Sequence, residues 1–199
     1  ARCDPTRPVL RDLRVQGQAV VHTDGDADRR IDRLASHIAS LPGPLVGVML
    51  STSADCLWLV YAVMRAGKDV LLLDPEWGSR AQEAVATATA LGAIVADFPV
   101  TGPLAELQVA LDLRPETEAA PSADAVMEPA AAARTRIVVF TSGTTSQPKG
   151  IVLTQAAMLA AYDIGQRCLG IGEGTHAGCF YRVSGLGILG IHFLFPILY

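Results

Sequence analysis

No run of basic residues interrupts this chain of 199 residues, whose formal net charge is −4 with only 18% charged side chains. A surface so poor in positive charge is not expected to hold nucleic acid or an anionic membrane. No CxxC pair occurs among the four cysteines (Cys3, Cys56, Cys168 and Cys179), and no signal-peptide pattern opens the sequence. Reduced thiols in a cytoplasmic protein are the expectation. Cys56 and Cys168 fall in apolar helical patterns, which predicts core positions for both. The four histidines (His22, His37, His176 and His192) are scattered without zinc spacing, so no metal held by these side chains is expected. No apolar run reaches the ~20 residues of a membrane span. The most apolar stretch, GLGILGIHFLFPILY at 185–199, is shorter and is broken by Pro196. Its surface needs a cover. The sequence is therefore expected to be a fragment, or to miss a C-terminal portion or partner chain covering 185–199.

What is present is apolar and alternating. Half of the residues are hydrophobic, which suits a folded α/β body. QAVVH (18–22) reads as a strand. From Asp28 the residues Ile31, Leu34, Ala35, Ile38 and Leu41 recur at helical spacing until Pro42-Gly43 stops them. PLVGVML (44–50) is a buried strand, and Ser51-Thr52-Ser53 with Asp55 offers capping groups to an all-round apolar helix closed by Gly67. VLLLD (70–74) is a strand ended by the Asp74-Pro75 turn. A helix is predicted from Ser79 to Leu91, ending at Gly92, and AIVAD (93–97) is the next strand. Continuous apolar strands between helices predict a parallel sheet covered on both faces. Residues 1–114 form a first α/β subdomain on this reading. Residues 115–135, rich in Ala, Pro and Glu, read as a linker or exposed excursion, and 136–199 begin a second α/β subdomain. There RIVVF (136–140) is a strand, IVL (151–153) a short one, and Thr154 caps a helix ending near Gly170 or Gly172.

Between those two strands lies FTSGTTSQPKG, residues 140–150. A phosphate needs converging donors, close backbone approach and a positive charge. Hydroxyls, glycine and lysine supply these, and a loop after an α/β strand is where such ligands sit. The Walker pattern GxxxxGK[ST] is excluded, because Pro148 precedes the lysine and Gly150 follows it. No GxGxxG follows the early strands either.

The segment resembles the phosphate-binding signature [YF]TSG[ST]TGxPKG of the adenylate-forming superfamily. That group comprises acyl- and aryl-CoA synthetases, adenylation domains of nonribosomal peptide synthetases, and luciferases. Further along the same pattern, VYAVMRAGKDVLLLDPEWGSRAQEAV (60–85) is similar to the LxAGxxxxPLDP region. IDRLASHIASL resembles the family's early helix, and FYRVSGLG (180–187) resembles PLFHxxGL. These cover most of 18–190 in the family's order. The resemblance implies parallel sheets flanked by helices, as part of the large N-terminal domain of such an enzyme. It implies activation of a carboxylic acid by ATP with Mg2+, giving an acyl-adenylate and pyrophosphate. Transfer to a thiol follows in the family, either CoA or the phosphopantetheine arm of a carrier protein. Thr141, Ser142, Gly143, Thr144, Thr145, Ser146 and Lys149 would hold the ATP phosphates, with Lys149 stabilising charge. Arg182 and Gly185 would border the substrate pocket.

Three positions leave the pattern. Ser146 replaces the second loop glycine; Gln155 replaces a frequent histidine; Arg182 replaces the histidine of PLFH. The family's YGxTE segment, TGD aspartate and late catalytic lysine are not found before Tyr199. The alternative implied by these departures is a catalytically incomplete relative serving as a binding or partner-interaction module.

Overall fold

The computed structural model describes residues 4–12, 19–50, 54–113, 134–141 and 149–170. Strands β1 (Pro8–Asp12) and β2 (Val20–Thr23) pair as an antiparallel ribbon. Helix α1 (Asp24–Ala39) follows without a break. It begins a turn earlier than the apolar spacing predicts, because Thr23 caps it: the Thr23 hydroxyl accepts from the Asp26 amide and Asp26 accepts from the Thr23 amide. This reciprocal cap satisfies donors that a helix start leaves unpaired.

The main sheet is built from β3 (Leu45–Met49), β4 (Asp69–Leu72), β5 (Leu91–Ala96), β6 (Gln108–Val109), β7 (Arg136–Thr141) and β8 (Lys149–Thr154). Its spatial order is β6-β5-β3-β4-β7-β8. Strands β3, β4, β5, β6 and β7 run parallel, and β8 returns antiparallel along β7. The sheet thus crosses the composition break at 115–135, since β7 pairs directly with β4. The second, shorter strand expected at 151–153 extends to 149–154, because the whole of β7 is its template.

Side chains alternate across the sheet and meet a core on each side. Val46, Val48, Val70, Leu72, Val95, Ile137 and Val139 pack with helix α1 and helix α2 (Ala54–Arg65). Leu45, Met49, Leu71, Leu73 and Ile94 face the other way, against Val85 of helix α3 (Ser79–Ala88) and Leu104 of a short 3-10 helix (Gly102–Leu107). Helix α2 is buried over most of its length, as its all-round apolar pattern predicts. Arg65 fastens it to α1 through ion pairs of 2.7 Å to Asp28 and 2.6 Å to Asp32.

Helix α3 ends at Ala88, short of the predicted Leu91. Thr89 is already extended, and Leu91 pairs with Leu45 in the sheet. Gly92 therefore serves the strand and not a helix end. A Cβ there would lie 2.1 Å from the Pro42 carbonyl oxygen, so only glycine lets the α1–β3 turn pack against β5. Helix α4 (Gln155–Leu169) is capped by Thr154, whose hydroxyl accepts from the Ala157 amide, and ends at Gly170. Cys56 is buried as expected, but Cys168 is exposed, because it lies on the outer side of α4. Among the described residues no helix is long and apolar enough to cross a membrane.

Candidate functional site

Parallel strands β3, β4, β5 and β7 all finish on the same edge of the sheet, so the connections that follow them share that edge. Loops at this carboxyl edge are where ligands bind in open α/β sheets. The hydroxyl-rich segment leaves from the end of β7 at Thr141 and re-enters β8 at Lys149. These two stem residues are direct partners in the antiparallel ladder. One step inward, Phe140 is paired with Gly150. Opposed residues in such a ladder have Cα atoms ~4.5–5.5 Å apart, so the loop's two ends are held side by side.

Lys149 is exposed. Alternation along β8 puts it on the same face as Ile151 and Leu153, which pack toward the α1 and α2 side. Thr141 and Lys149 are thus brought together as partners in the ladder. Ser142, Gly143, Thr144, Thr145 and Ser146 lie outside the described residues, as do Arg182 and Gly185.

The other face of the stems carries an aromatic contact that the sequence pattern does not announce. Trp77 meets Phe140 edge-on, with ring centroids 6.1 Å apart and planes at 84°. Trp77 belongs to the turn after β4, and that turn is tightly tied. The Glu76 amide donates to the Asp74 carboxylate at 2.9 Å, and the Trp77 amide donates to the Asp74 carbonyl at 3.1 Å. The Gln82 side-chain amide donates to the Trp77 carbonyl at 3.0 Å. Asp74-Pro75 is accordingly a structural turn. The Phe140 ring also covers Gly150: a Cβ on that glycine would sit 3.2 Å from the ring's Cζ. Glycine here admits the ring, which is a packing reason for the last letter of PKG.

The amino end of β7 is fixed by polar groups. Arg136 pairs with Asp69 at the start of β4, Nη2 to Oδ2 at 2.6 Å, and its backbone amide donates to the same carboxylate at 2.8 Å. Hydrogen bonding to Asp69, then its charge, holds the guanidinium above its ordinary pKa. Gln155, a departure from the expected histidine, donates to the buried Thr135 hydroxyl at 2.9 Å. At a strand rise of ~3.3 Å per residue, this puts it ~20 Å along β7 from Thr141. Its side chain serves the strand–helix junction and not the loop.

Other titratable candidates fall away. Burial pushes the Cys56 thiol up to about 12, so it holds no thiolate for nucleophilic work. His22 has its pKa lowered by burial, then by the charge of Arg30, and it rests edge-on against Trp58 at 5.6 Å. Among the described residues no group of three or more His, Cys, Asp or Glu could hold a metal ion.

The arrangement is that of an α/β protein in which the stems of the hydroxyl-rich segment, Thr141 and Lys149, stand at the carboxyl edge of the sheet. The chain belongs to the family of AMP-binding enzymes, whose model matches residues 1–181. It is 24% identical over 164 residues to bacitracin synthase 1 of Bacillus licheniformis, covering 78% of this chain and 3% of that protein. It is 32% identical over 136 residues to phosphinothricin tripeptide synthetase PhsC of Streptomyces viridochromogenes, covering 64% of this chain and 12% of that protein. Among solved structures, the O-succinylbenzoate coenzyme A synthetase of Bacillus subtilis in complex with AMP matches with a TM-score of 0.75 and 20% identity. That match covers 98% of this chain and 50% of the other. The Klebsiella oxytoca NpsA N-terminal subdomain matches with a TM-score of 0.54 and 15% identity, covering 73% of this chain and 38% of that one. The chain thus spans half or less of each of these four proteins, and at these identities the solved structures carry the fold.

Proposed function

We propose that this chain supplies the phosphate-holding part of an enzyme that activates a carboxylic acid with Mg-ATP. A carboxylate oxygen would bond to the α-phosphorus as the bond to the bridging oxygen breaks, leaving an acyl-adenylate and pyrophosphate. The acyl group would then pass to a thiol, of coenzyme A or of a carrier protein's phosphopantetheine arm. The observation that carries this reading is the pairing of Thr141 with Lys149 at the carboxyl edge, in a chain of the AMP-binding family. The donor set suits the group to be held. Ser142, Thr144 and Thr145 bring hydroxyls, Gly143 permits close approach, and Ser146 adds a further hydroxyl. Lys149 brings an exposed cation to the loop's mouth, where it would offset charge gathering on the departing pyrophosphate. Arg182 and Gly185 belong to this reading as acyl-pocket residues. Arginine there would favour an acid carrying a second anionic or polar group.

The test is exchange of labelled pyrophosphate into ATP by the full natural chain, across a panel of carboxylic acids. Exchange with one chemical class of acid is the expected result. No exchange with any acid, in a protein that still binds Mg-ATP, would instead support a catalytically incomplete relative. That second reading draws its support from Ser146, which stands where the signature has glycine.

A further inference from the structure

We infer that Trp77 is a positioning residue for the phosphate loop, acting through Phe140 on Gly150. The inference rests on the phosphate reading above and adds to it a residue outside the loop signature. Three elements meet at this point. Trp77 comes from the turn after β4, Phe140 from the last inward step of β7, and Gly150 from the first inward step of β8. Trp77 is half-buried and edge-on to Phe140, and the Phe140 ring lies across the Cα of Gly150. Edge-to-face geometry at this separation is the favoured one for aromatic pairs, so Trp77 limits how far the Phe140 ring can swing.

The consequence lies one residue further out. Phe140 and Gly150 are immediate neighbours of Thr141 and Lys149, the pair from which the loop springs. β8 is an edge strand with β7 as its ladder partner, so little else among the described residues fixes the twist of its first two positions. The turn bearing Trp77 is itself immobilised by the hydrogen bonds from Glu76, Trp77 and Gln82. A rigid turn, an aromatic contact and a ring over glycine therefore transmit the position of β4 to the mouth of the loop. Phosphate donors must converge within a fraction of an ångström, so loosening this base weakens the grip without removing any donor group.

The experiment measures Mg-ATP binding by the full natural chain, its Trp77→Ala and Trp77→Phe variants, and hydrogen exchange of the Thr141 and Lys149 amides. The expected result is roughly tenfold weaker Mg-ATP binding in Trp77→Ala, substantial recovery in Trp77→Phe, and an unchanged KM for the carboxylic acid. Stem amides should exchange faster in Trp77→Ala, with the ladder near Ile137 and Leu153 unaffected. A folded Trp77→Ala that binds Mg-ATP within twofold of the natural chain overturns the inference, as does a uniform speeding of exchange along β7 and β8. If the natural chain itself does not bind Mg-ATP, the phosphate reading fails. The stem amides then still decide whether Trp77 anchors the loop.

Discussion

Strands β3 and β8 belong to one sheet and are held in opposite ways. All five residues of β3 are buried, with β4 on one side and β5 on the other. Strand β8 has β7 as its partner and shows a different profile, with Ile151 and Leu153 turned inward and the other four positions exposed. Val48 of β3 is 0% exposed, whereas Val152 of β8 is 53% exposed. The first strand is specified by packing on two faces. The second is specified by one ladder, one inward row and the contacts at its ends. This difference has a functional logic. A lysine meant to meet an anion pays a heavy desolvation penalty in the middle of such a sheet, but little at an exposed edge. The middle of the sheet gives the fold its rigidity, and the edge carries the lysine to which the chemistry is assigned by the proposal.

The comparison is tested most severely by placing a hydroxyl in β3. Val48→Thr loses apolar transfer energy and buries a hydroxyl among aliphatic neighbours, at an expected cost of about 2–3 kcal/mol. Denaturant unfolding of the variant measures it, and a loss below about 0.5 kcal/mol would show that β3 is not the packed centre described above. The next effect is on activity. Lys149→Ala should lower kcat/KM for Mg-ATP roughly tenfold or more, as expected when a charge-stabilising group is removed. Because Lys149 is exposed on the edge strand, the unfolding midpoint should stay in place. Unchanged kinetics would take Lys149 out of the mechanism, and a collapsed midpoint would mean that the edge is structural after all.

The middle of the sheet was readable from sequence because its signal is local. PLVGVML, VLLLD, AIVAD and RIVVF are apolar runs bounded by turn residues, and each became a strand. Element ends were less readable, since they depend on capping and pairing. The Thr23–Asp26 box lies just ahead of the apolar period, and Leu91 was drawn into the sheet by pairing with Leu45 of the parallel neighbour β3. Cys168 looked like core by its period, but α4 turns that side outward. The loop was legible as a family signature, and the chain does belong to the AMP-binding family; the pairing of Thr141 with Lys149 is what the fold adds to it. Trp77 against Phe140 had no local signal at all. It exists because β4 and β7 are neighbours, and neighbourhood across a crossover is a property of topology. The meaning of Gln155 changed for the same reason: tertiary placement, and not proximity in sequence to the loop, gives it Thr135 as a partner.

Two smaller effects complete the ordering. Thr154 ends β8 and caps α4, so Thr154→Ala should cost about 1 kcal/mol, and Thr154→Ser should recover most of it because serine keeps the hydroxyl that accepts from the Ala157 amide. The smallest effect is the most telling. Val152→Thr repeats on the edge strand the exchange made at Val48, with the same change of atoms. Threonine keeps the β-branched shape that suits a strand, and its hydroxyl can reach water at a position 53% exposed. The expected change is within about 0.5 kcal/mol of zero, measured by the same unfolding titration. Equal costs at 48 and 152 would mean that β8 is covered in the working protein as thoroughly as β3. The exposed face of Val152, with Leu159 and Ile164 of α4, would then belong to an interior, and the edge from which Lys149 is proposed to reach a phosphate would have to be narrower than the sheet's own border.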